Sequence, residues 1–453
     1  MIRKLSLFIL STLFITAACT KEVPVSINKQ QMAESVKTEF LHAWNGYKTY
    51  AWGYDELKPV SDTARNWYDV SLLMTPVDAY DTMILMGLND EAEEAKDLIL
   101  SELHFDHDMS VQNFEIVIRM LGGLLSAYQM DGDERFLELA KDLGDRLLPV
   151  FDSPTGLPYV NVNLQTGETS GIINNPAEIG TLILEFGTLS GLTGDPVYFE
   201  KADRAMKGIY ERRSDIGLVG ETINVETGEW VNTSSHISGR IDSYYEYLLK
   251  ASELFGLEDY RMMYDESITA VNEYLLDETE TGTWYGRADM YSGERTATTY
   301  GALDAFMPGM LVFGGELEIA KKVQEANYSM WTMEGIEPEG IDYSSMEITS
   351  PYYLLRPENI ESAFYLYRAT GDDRYLKMGK TMFESIVEYC KTESGFAELA
   401  DVRTKEKNDG MQSFFLAETL KYSYLLFADE STLDLDTHVF NTEAHPLTNT
   451  WDQ

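Results

Sequence analysis

Acidic side chains stand inside apolar, helix-like stretches of this sequence, where they could transfer protons or hold a cation. In YLLRPENIESAFYLY (353–367), Glu358 and Glu361 follow Pro357 and are interleaved with apolar residues at helical spacing. Proline suits the first turn of a helix, and carboxylates stabilise that end of the helix dipole. A capped helix start would therefore explain this stretch on its own, without any chemistry.

The same combination recurs in four other stretches, each of which places acids in an otherwise apolar helical pattern. These acids are Glu115, with Arg119 one turn later, in NFEIVIRMLGGLLSAY; Asp242 and Glu246 in GRIDSYYEYLLK; Glu178 in AEIGTLILEF; and Glu418 in SFFLAETLKY. A buried carboxylate costs free energy unless it is paired, hydrogen-bonded or bound to a metal. A single case would indicate an ion pair with a nearby arginine, but five helices favour one shared acidic pocket.

Two chemistries fit such a pocket. Glycoside hydrolysis needs one carboxylic acid to protonate the leaving oxygen and a second carboxylate to activate water or to attack. Several acids around one point would instead suit a calcium ion, which prefers oxygen ligands. The residue pattern alone leaves both open, and one chain could combine them.

A repeat predicts how these acids are brought together. A glycine followed by acids and an amphipathic helix recurs at Gly87, Gly132, Gly194, Gly256, Gly314 and Gly371, at intervals of 45 to 62 residues. Each interval has room for an apolar inner helix and an amphipathic outer helix, which is typical of an all-α toroid of helical hairpins. A first helix over 31–49 brings the count to about seven hairpins. We expect the first turns of the inner helices to meet at one mouth.

Charge and composition narrow the possible partners. The 453 residues are 44% hydrophobic, which is enough for a large folded core. With 76 acidic and 35 basic residues, the net charge of −41 repels phosphate backbones, so we expect no nucleic-acid partner. The same charge favours cations such as Ca²⁺. No Pro-, Gly- or Ser-rich linker divides the chain after residue 30, which predicts a single domain over 31–453. We also expect the protein to be a monomer.

The N-terminal stretch MIRKLSLFILSTLFITAAC has the layout of a secretory signal, with Arg3 and Lys4 before an apolar run. Its ending resembles a bacterial lipoprotein box, which predicts a signal peptide over 1–19, lipidation at Cys19 and a linker over 20–30. The protein would then be exported and anchored to a membrane by lipid, in the periplasm or at the cell surface. Ordinary signal-peptidase cleavage near Ala18 is the alternative. Only Cys390 remains in the mature chain, and we expect it to be a buried hydrophobe.

Eight stretches, in order from about residue 40 to 446, resemble glycoside hydrolase family 47, the class I α-mannosidases. They are AWGYDELKPVS, TPVDAYDTMILMGL, FEIVIRMLGGLLSAY, AEIGTLILEFGTLSGLTGD, GRIDSYYEYLLK, YLLRPENIESAFYLYRATGD, FFLAETLKY and VFNTEAHP. The resemblance implies an (α/α)7 barrel that removes terminal α-1,2-linked mannose with inversion and requires calcium. The expected substrate is a mannan or an N-glycan-type oligosaccharide.

The resemblance also implies roles for individual residues. By it, Glu115 is the general acid, Glu358 the base that activates water, and Asp242 a third catalytic acid. Thr442 would bind calcium through its hydroxyl and its carbonyl oxygen. The residues expected around these four are Glu361, Glu418 and Glu443, holding the ion through waters; Arg119, Arg240, Arg356 and Phe414, shaping the sugar subsite; and Glu178 and Glu246, as further substrate contacts.

The ends and the loops carry further predictions. LDLDTHVFNTEAHP alternates in polarity, which predicts a strand that enters the barrel and places Thr442 at its floor; a frayed tail is the alternative. TGLPYVNVNLQTGET and VGETINVETGEW predict short β-hairpins on the loops. The chain departs from the family pattern at Tyr54 and Ala302, where histidines are common, and at Ala305, where many members have cysteine. We expect these departures to alter specificity rather than abolish activity.

Two other functions fit the same residues, and one further stretch has the look of a metal site. The chain could be a non-catalytic, mannan-binding surface lipoprotein, or another sugar enzyme on an α/α toroid, such as an epimerase. HFDHD (104–108) has the residue types of a metal site but lacks a convincing fourth ligand.

Overall fold

The computed structural model describes residues 27–451, and in this range the main helices form seven inner–outer pairs. The outer helices are α1 (Lys29–Tyr50), α3 (Asn89–Glu102), α5 (Glu134–Leu147), α7 (Val197–Tyr210), α9 (Glu258–Tyr274), α11 (Leu317–Thr332) and α13 (Asp373–Cys390). The inner helices are α2 (Met74–Met86), α4 (113–131), α6 (176–193), α8 (Asp242–Phe255), α10 (303–314), α12 (Glu358–Thr370) and α14 (415–427).

Several inner helices are irregular. A π-helical segment, Ile116–Leu121, lies inside α4, and another, Phe415–Thr419, opens α14. Helix α6 consists of Pro176–Gly180 and Ile183–Thr193, and α10 begins with the 3-10 turn Leu303–Phe306. Two further 3-10 turns cover Leu148–Phe151 and Glu430–Thr432.

The inner helices close into a ring. Each contacts the next in chain order, and the π segment at the start of α14 packs on α2. The outer helix α1 packs against α14, so the first and last helices of the chain complete the seventh pair. This closure confirms the predicted toroid of seven helical hairpins. It also buries the apolar surface that a single hairpin would leave in water.

Short glycine turns join each inner helix to the outer helix that follows it. Six glycines in the left-handed conformation end the inner helices α2 to α12: Gly87, Gly132, Gly194, Gly256, Gly315 and Gly371. Glycine is favoured there because, at a positive φ, a Cβ would crowd the carbonyl oxygen of the adjoining backbone, and glycine has no Cβ. Five of the six predicted glycines cap an inner helix. The exception is Gly314, because the neighbouring Gly315 is the cap of that helix.

Longer loops at the opposite end of the barrel carry small antiparallel sheets. In chain order the strands are β1 (Glu56–Lys58), β2 (Thr63–Arg65), β3 (Ser110–Gln112), β4 (Asn161–Asn163), β5 (Thr169–Ser170), β6 (Ile173–Asn174), β7 (Thr222–Asn224), β8 (Trp230–Asn232), β9 (Ser234–Ser235), β10 (Leu276–Thr279), β11 (Gly282–Tyr285), β12 (Arg287–Asp289), β13 (Arg295–Ala297), β14 (Thr299–Gly301), β15 (Gly340–Asp342), β16 (Glu347–Ser350), β17 (Leu399–Asp401), β18 (Glu406–Lys407), β19 (His438–Phe440) and β20 (Pro446–Thr448). Both predicted loop hairpins are confirmed, as β4–β5 and β7–β8.

The pairing of the strands is local. The sheets, in spatial order, are β1–β2, β3–β4–β5, β6–β7–β8, β13–β12–β9, β10–β11, β14–β15–β16, β17–β18 and β19–β20. The first seven belong to the loops that lead from an outer helix to the next inner helix. They therefore surround the end of the barrel at which the inner helices begin.

The eighth sheet, β19–β20, is a hairpin inside the barrel. Gln129, late in α4, donates to the carbonyl of Thr448 at 3.2 Å, whereas Asn441 donates to the carbonyl of Ile118, early in α4, at 2.9 Å. The hairpin therefore runs along the inner helices toward their first turns. The predicted strand is present, but it covers only His438–Phe440, because residues 435–437 form a turn in which His438 N donates to the carbonyl of Asp434 at 3.1 Å.

The start of the described range differs slightly from the prediction. Helix α1 begins at Lys29, because the side chain of Asn28 accepts a hydrogen bond from Gln31 N at 3.1 Å and caps the helix. The predicted linker over 20–30 therefore includes two helical residues. The predicted signal peptide and Cys19 lie outside the described residues. Among residues 27–451, no helix has the length and apolarity needed to cross a membrane.

Candidate active site

A cavity of about 370 Å³ opens at the end of the barrel where the inner helices begin. The structure brings together there all of the site residues predicted from the sequence. Its lining includes Glu115, Asp242, Glu358, Arg119, Arg240, Arg356, Phe414, Glu178, Glu246, Thr442, Glu361, Glu418 and Glu443. Residues more than 300 positions apart in the chain thus face one space.

Helix starts place the acids around the cavity. Asp242 and Glu358 are the first residues of α8 and α12, and Glu115 and Glu178 lie in the first turns of α4 and α6. The N-terminal ends of the seven inner helices surround the barrel axis at the same end of the ring, so their first turns lie close together. The positive end of each helix dipole faces these carboxylates and stabilises their charged form.

The π-helical segments of α4 and α14 carry Arg119 and Glu418 respectively. A π turn inserts an extra residue into the helix and rotates the side chains that follow it. The apolar spacing of the sequence could not reveal it, because one inserted residue leaves most of the helical pattern intact.

Strained backbone precedes two of the site helices. Arg240 and Leu355 adopt positive φ angles of 81° and 64°, two residues before Asp242 and three before Glu358. A non-glycine residue in this region costs of order 1–3 kcal/mol and persists only where its surroundings enforce it. The carbonyl of Arg240 accepts a hydrogen bond from Ala177 N at 2.9 Å, which ties this turn to the start of α6.

Arg119 joins three carboxylates in the wall of the cavity. Its Nε donates to Glu115 Oε2 at 2.9 Å, its Nη1 forms an ion pair with Glu443, and Asp78 Oδ2 lies 3.5 Å away. The predicted pair on one face of α4 is therefore present. The hydrogen bond from Arg119 compensates part of the charge of Glu115 and also fixes the direction of its carboxyl group.

Phe414 lies between two guanidinium groups. The Cζ atoms of Arg119 and Arg356 are each 5.8 Å from the centre of its ring. Arg356 is itself held by a two-point ion pair with Glu339, at 2.7 and 3.2 Å. This arrangement presents a rigid aromatic and cationic wall to the cavity.

Five acids that line the cavity have no basic partner within 4 Å among residues 27–451. One is Glu178; we call the other four, Asp242, Glu358, Glu361 and Glu418, the cavity carboxylates. Burial raises the pKa of Asp242 and of Glu358 to about 7 and that of Glu361 to about 8. Burial, followed by the nearby Glu443, Glu358 and Glu361, raises the pKa of Glu418 well above its usual range. Removal from water disfavours the charged form, and mutual repulsion adds to it.

Two of the other predicted residues are held by ion pairs and a third, Glu178, is not. Glu246 forms a buried ion pair with Lys250 one turn later in α8, so its charge is compensated. Arg240 Nη1 pairs with Glu221 at 2.7 Å and keeps a largely exposed side chain at the rim. Burial raises the pKa of Glu178, whose Oε2 atom is buried without a hydrogen-bond partner in the described residues.

Thr442 reaches the cavity on the turn between β19 and β20. Its N–H donates to the hydroxyl of Tyr247 at 3.1 Å, and the neighbouring Asn441 donates to Glu185 at 2.8 Å. Burial raises the pKa of Glu185 to about 7, despite the hydrogen bonds that Tyr247 and Asn441 donate to it. The placement of this turn matches the predicted floor, and excludes the frayed tail.

A second charged cluster holds this turn from below; we call Asp78, Asp81, Lys421 and His445 the hairpin clamp. His445 Nδ1 lies 2.6 Å from Asp81 Oδ2 and its Nε2 lies 3.3 Å from Asp78 Oδ1. Lys421 Nζ lies 2.7 Å from Asp81 Oδ1 and also donates to the carbonyl of Ala444 at 2.5 Å. Burial opposes these charges, but His445 carries a pKa raised to about 9 and Asp81 one lowered to about 2, each because of its partners.

Sequence reasoning did not single out Glu185 or the hairpin clamp. A signal was present, because Asp78, Asp81 and Glu185 are isolated acids in the apolar helical runs TPVDAYDTMILM and ILEFGTL. The rule that found Glu115 would have flagged them. Their partners Lys421 and His445 come from distant parts of the chain and could be assigned only from the fold.

Other candidate groups lie outside the cavity. Tyr54 is 49% exposed and Ala302 is buried, and neither lines the cavity. The rings of His104 and His107 lie 4.2 Å apart, and no group of three or more His, Cys, Asp or Glu within residues 27–451 has the arrangement of a direct metal-ligand set. Cys390 is buried, and burial raises the pKa of its thiol, as expected for an unreactive side chain.

A closed α/α ring whose inner helices present several carboxylates to one end cavity has the equipment of a glycoside hydrolase, which needs two carboxyl groups at the scissile bond. Within this class, the chain belongs to glycosyl hydrolase family 47, whose family model matches residues 39–449. This result confirms the resemblance and the (α/α)7 barrel. It makes the protein a glycoside hydrolase, and the alternative of a sugar epimerase is wrong.

Known proteins similar to the chain include enzymes from plants, animals and fungi. It is 38% identical over 474 residues to alpha-mannosidase I MNS5 of Arabidopsis thaliana, covering 98% of this chain and 82% of that protein. It is 39% identical over 465 residues to the human endoplasmic reticulum mannosyl-oligosaccharide 1,2-alpha-mannosidase, covering 95% of this chain and 65% of that protein. Among solved structures, the alpha-1,2-mannosidase from Trichoderma reesei superposes with a TM-score of 0.87 at 30% identity, covering 92% and 99% of the two chains.

Proposed function

We propose that this protein is an exo-acting, inverting α-1,2-mannosidase that uses calcium to trim terminal mannose from N-glycan-type or mannan oligosaccharides. The observation that carries the proposal is the shape and chemistry of the cavity. It is open at the rim, its wall carries unpaired carboxylates, and the buried turn Asn441–His445 lies beneath it. Such a dead end admits the terminus of a glycan and excludes an internal segment, which supports exo action.

The acids take different roles in this proposal. Glu115 protonates the leaving oxygen, with Arg119 Nε at 2.9 Å holding its carboxyl group in place. Glu358 accepts a proton from the attacking water, since burial raises its pKa to about 7 and its Oε2 atom is buried without a hydrogen-bond partner among residues 27–451. A base with a pKa near the working pH combines adequate ionisation with adequate proton affinity. Asp242 is a third acid near Glu358.

The raised pKa of Glu358 taken alone also fits the reverse assignment, because a raised pKa suits a general acid. The assignment of Glu115 as acid comes from its position in the family pattern FE-x-x-x-R. Exchange of roles would be visible in the pH profile of the enzyme. An inverting site also requires the two carboxyl groups to stand roughly 6.5–9.5 Å apart, which leaves room for the water.

The residues present fit a calcium ion. Three acids near Thr442, namely Glu361, Glu418 and Glu443, have raised pKa values, so their negative charge exceeds the compensation that Arg119 supplies. A hard cation with oxygen ligands would relieve this repulsion. We propose that Thr442 binds the ion through its hydroxyl and carbonyl oxygens and that the three glutamates hold its waters. The ion would supply Lewis acidity and orient the sugar hydroxyls.

The remaining lining residues orient the sugar. Phe414, fixed between Arg119 and Arg356, packs against the apolar face of the mannose ring. Arg240, at the rim, donates hydrogen bonds to sugar hydroxyls, and Glu178 accepts hydrogen bonds from them. Glu246 makes its contact as a neutralised pair with Lys250.

NMR of α-1,2-mannobiose with the purified protein tests this function directly. We expect β-mannose as the first product, loss of turnover with excess chelator, and recovery when calcium is restored. Release of α-mannose would contradict inversion. Binding of the disaccharide without hydrolysis, unchanged in Glu358→Gln, would support the alternative of a mannan-binding protein.

A further inference from the structure

A second cavity, of about 430 Å³, lies beside the active-site cavity at the same end of the barrel. Leu303 lines both cavities, and Ser238 of the second is the chain neighbour of Gly239 of the first. The ion pair between Arg356 and Glu339 separates them, because Arg356 lines the first cavity and Glu339 lines the second. The two cavities therefore adjoin, with the side chains of Arg356 and Glu339 between them.

Two glycines that face each other across a strand pair line this second cavity. Gly301 of β14 pairs directly with Gly340 of β15, and Gly340 pairs with Ser350 at the end of β16. Gly340 does not have a positive φ, so its backbone conformation does not demand glycine. A Cβ there would lie 3.2 Å from Thr349 Oγ1 and would begin to fill the space. Glycine inside a strand often marks a position that a ligand approaches closely.

The walls of the second cavity carry the groups that bind sugars. Tyr352 is 40% exposed and offers an aromatic face. Arg287 donates from Nε to Thr299 Oγ1 at 2.9 Å and has no carboxylate within 4 Å in the range 27–451. Its remaining N–H groups are available to hydroxyl acceptors.

Apart from the guanidinium of Arg287, the groups that line this cavity are uncharged or compensated. Glu339 is already neutralised by the two hydrogen bonds from Arg356, and Thr299, Thr349 and Ser350 contribute only hydroxyl groups. Small polar sites of this kind combine an aromatic face with a few directed hydrogen bonds. A hexose matches both features, and its position next to the active site matches an oligosaccharide that spans the two.

We propose that the second cavity is a sugar-binding subsite, which holds another hexose of the oligosaccharide whose terminal residue occupies the active-site cavity. The inference rests on the proposed function, since it assumes that a glycan enters the first cavity. It assigns Tyr352 and Arg287 as residues that select longer or branched substrates over a disaccharide. Neither residue lines the active-site cavity.

The test compares two substrates, α-1,2-mannobiose and a high-mannose N-glycan oligosaccharide, in the variants Tyr352→Ala, Arg287→Ala and Gly340→Ala. We expect KM for the oligosaccharide to rise about tenfold in the first two variants, equivalent to about 1.4 kcal/mol. Gly340→Ala should act in the same direction by filling the hollow while leaving every hydrogen-bonding side chain in place. The kcat/KM for mannobiose should stay within about twofold of the parent enzyme.

The matched control is Tyr291→Ala. Tyr291 is 59% exposed in the turn between β12 and β13 and lines neither cavity. Equal losses on both substrates, or no change on the oligosaccharide, would overturn the subsite. If the parent enzyme hydrolysed neither substrate, the proposed function would fail. Binding of the oligosaccharide, measured by calorimetry in parent and Tyr352→Ala, would then still decide the subsite by a change or absence of change in Kd.

Discussion

The cavity carboxylates and the hairpin clamp are two groups of charges in the same barrel interior, and their pKa values shift for opposite reasons. In the clamp, Lys421 and His445 lie against Asp81, whose pKa is lowered to about 2 although burial opposes this. In the cavity, burial raises the pKa of Glu358 to about 7 and that of Glu361 to about 8. The difference lies in partners: the clamp is neutralised within the fold, and the cavity is not.

This contrast separates a structural use of buried charge from a functional one. A neutralised cluster fixes geometry, here that of the turn carrying Thr442, and needs nothing from outside. An acidic cluster without partners is unfavourable until it binds a proton, a cation or a substrate. The four predictions that follow test this division, in order of decreasing expected effect.

The largest effect is expected for Glu358→Gln. The amide keeps the shape of the side chain but cannot accept the proton of water, so kcat should fall by about 10²–10⁴-fold. Stability in the absence of calcium should stay the same or rise, because a poorly compensated charge is removed. Initial rates on α-1,2-mannobiose and urea denaturation measure the two quantities.

Glu337→Gln is the control for that variant. Glu337 is also buried, and burial raises its pKa well above the usual range, but it does not line the cavity. We expect near-normal kcat. Equal losses in both variants would mean that any buried carboxyl in this region supports the fold, and would remove the distinction drawn for Glu358.

A substitution in the hairpin clamp should lower the free energy of unfolding. Lys421→Met leaves Asp81 without its lysine, and both side chains are inaccessible to solvent. Removal of one partner of a buried pair typically costs about 3–5 kcal/mol. Urea denaturation at neutral pH measures this loss. A loss under about 1 kcal/mol would show that His445 alone neutralises the cluster.

The pH dependence of stability should reveal the cavity carboxylates. Their raised pKa values mean that the folded state binds more protons than the unfolded state between about pH 4.5 and pH 8. The stability from this protonation is therefore complete at low pH and is lost as the pH rises through about 7–8. With chelator present, we expect the free energy of unfolding to fall by at least about 2 kcal/mol from pH 5 to pH 8.

Calcium should reverse that trend, stabilising the protein more at pH 8 than at pH 5, since its binding requires ionised acids. Denaturation at several pH values with and without calcium measures the effect. Glu361→Gln should flatten the calcium-free profile. A flat profile in the unaltered protein would contradict the raised pKa values.

The smallest effects come from single hydroxyl groups, one in each cluster. Ser126 donates to Asp81 Oδ2 at 2.9 Å, and Tyr422 donates to Glu361 Oε1 at 3.1 Å. Ser126→Ala should cost about 1 kcal/mol of stability and leave kcat unchanged. Tyr422→Phe should raise the calcium concentration needed for half-maximal activity. If Ser126→Ala raised the calcium requirement as much as Tyr422→Phe does, the distinction between the two clusters would be wrong.

Much of the fold was accessible from local patterns. The spacing of Gly132, Gly194 and Gly256 predicted helical hairpins because a positive φ at each helix end is a local requirement that glycine meets. The one misplacement, Gly314 for Gly315, arose where two glycines adjoin and local rules favour neither. The short strand His438–Phe440 was overextended because alternation in polarity also occurs in turns.

The candidate site was accessible in part. Glu115, Asp242 and Glu358 stood out as acids in apolar helices, and the fold places them on one cavity. The partner that holds Arg356 did not stand out, because Glu339 reaches it from the loop between α11 and α12. The π-helical turns at Ile116–Leu121 and Phe415–Thr419 also left no clear trace in the spacing of apolar residues.

By itself, then, the sequence determined the helices, the glycines at which they end and the acidic residues that lie in their first turns. These follow from backbone sterics and from the period of apolar residues, both of which act over a few neighbouring positions. Only the tertiary structure decided which acids keep a charge. Whether a carboxyl such as Asp81 or Glu418 meets a lysine or another carboxylate depends on ring closure, which joins residues hundreds of positions apart and sets their distance and exposure to water.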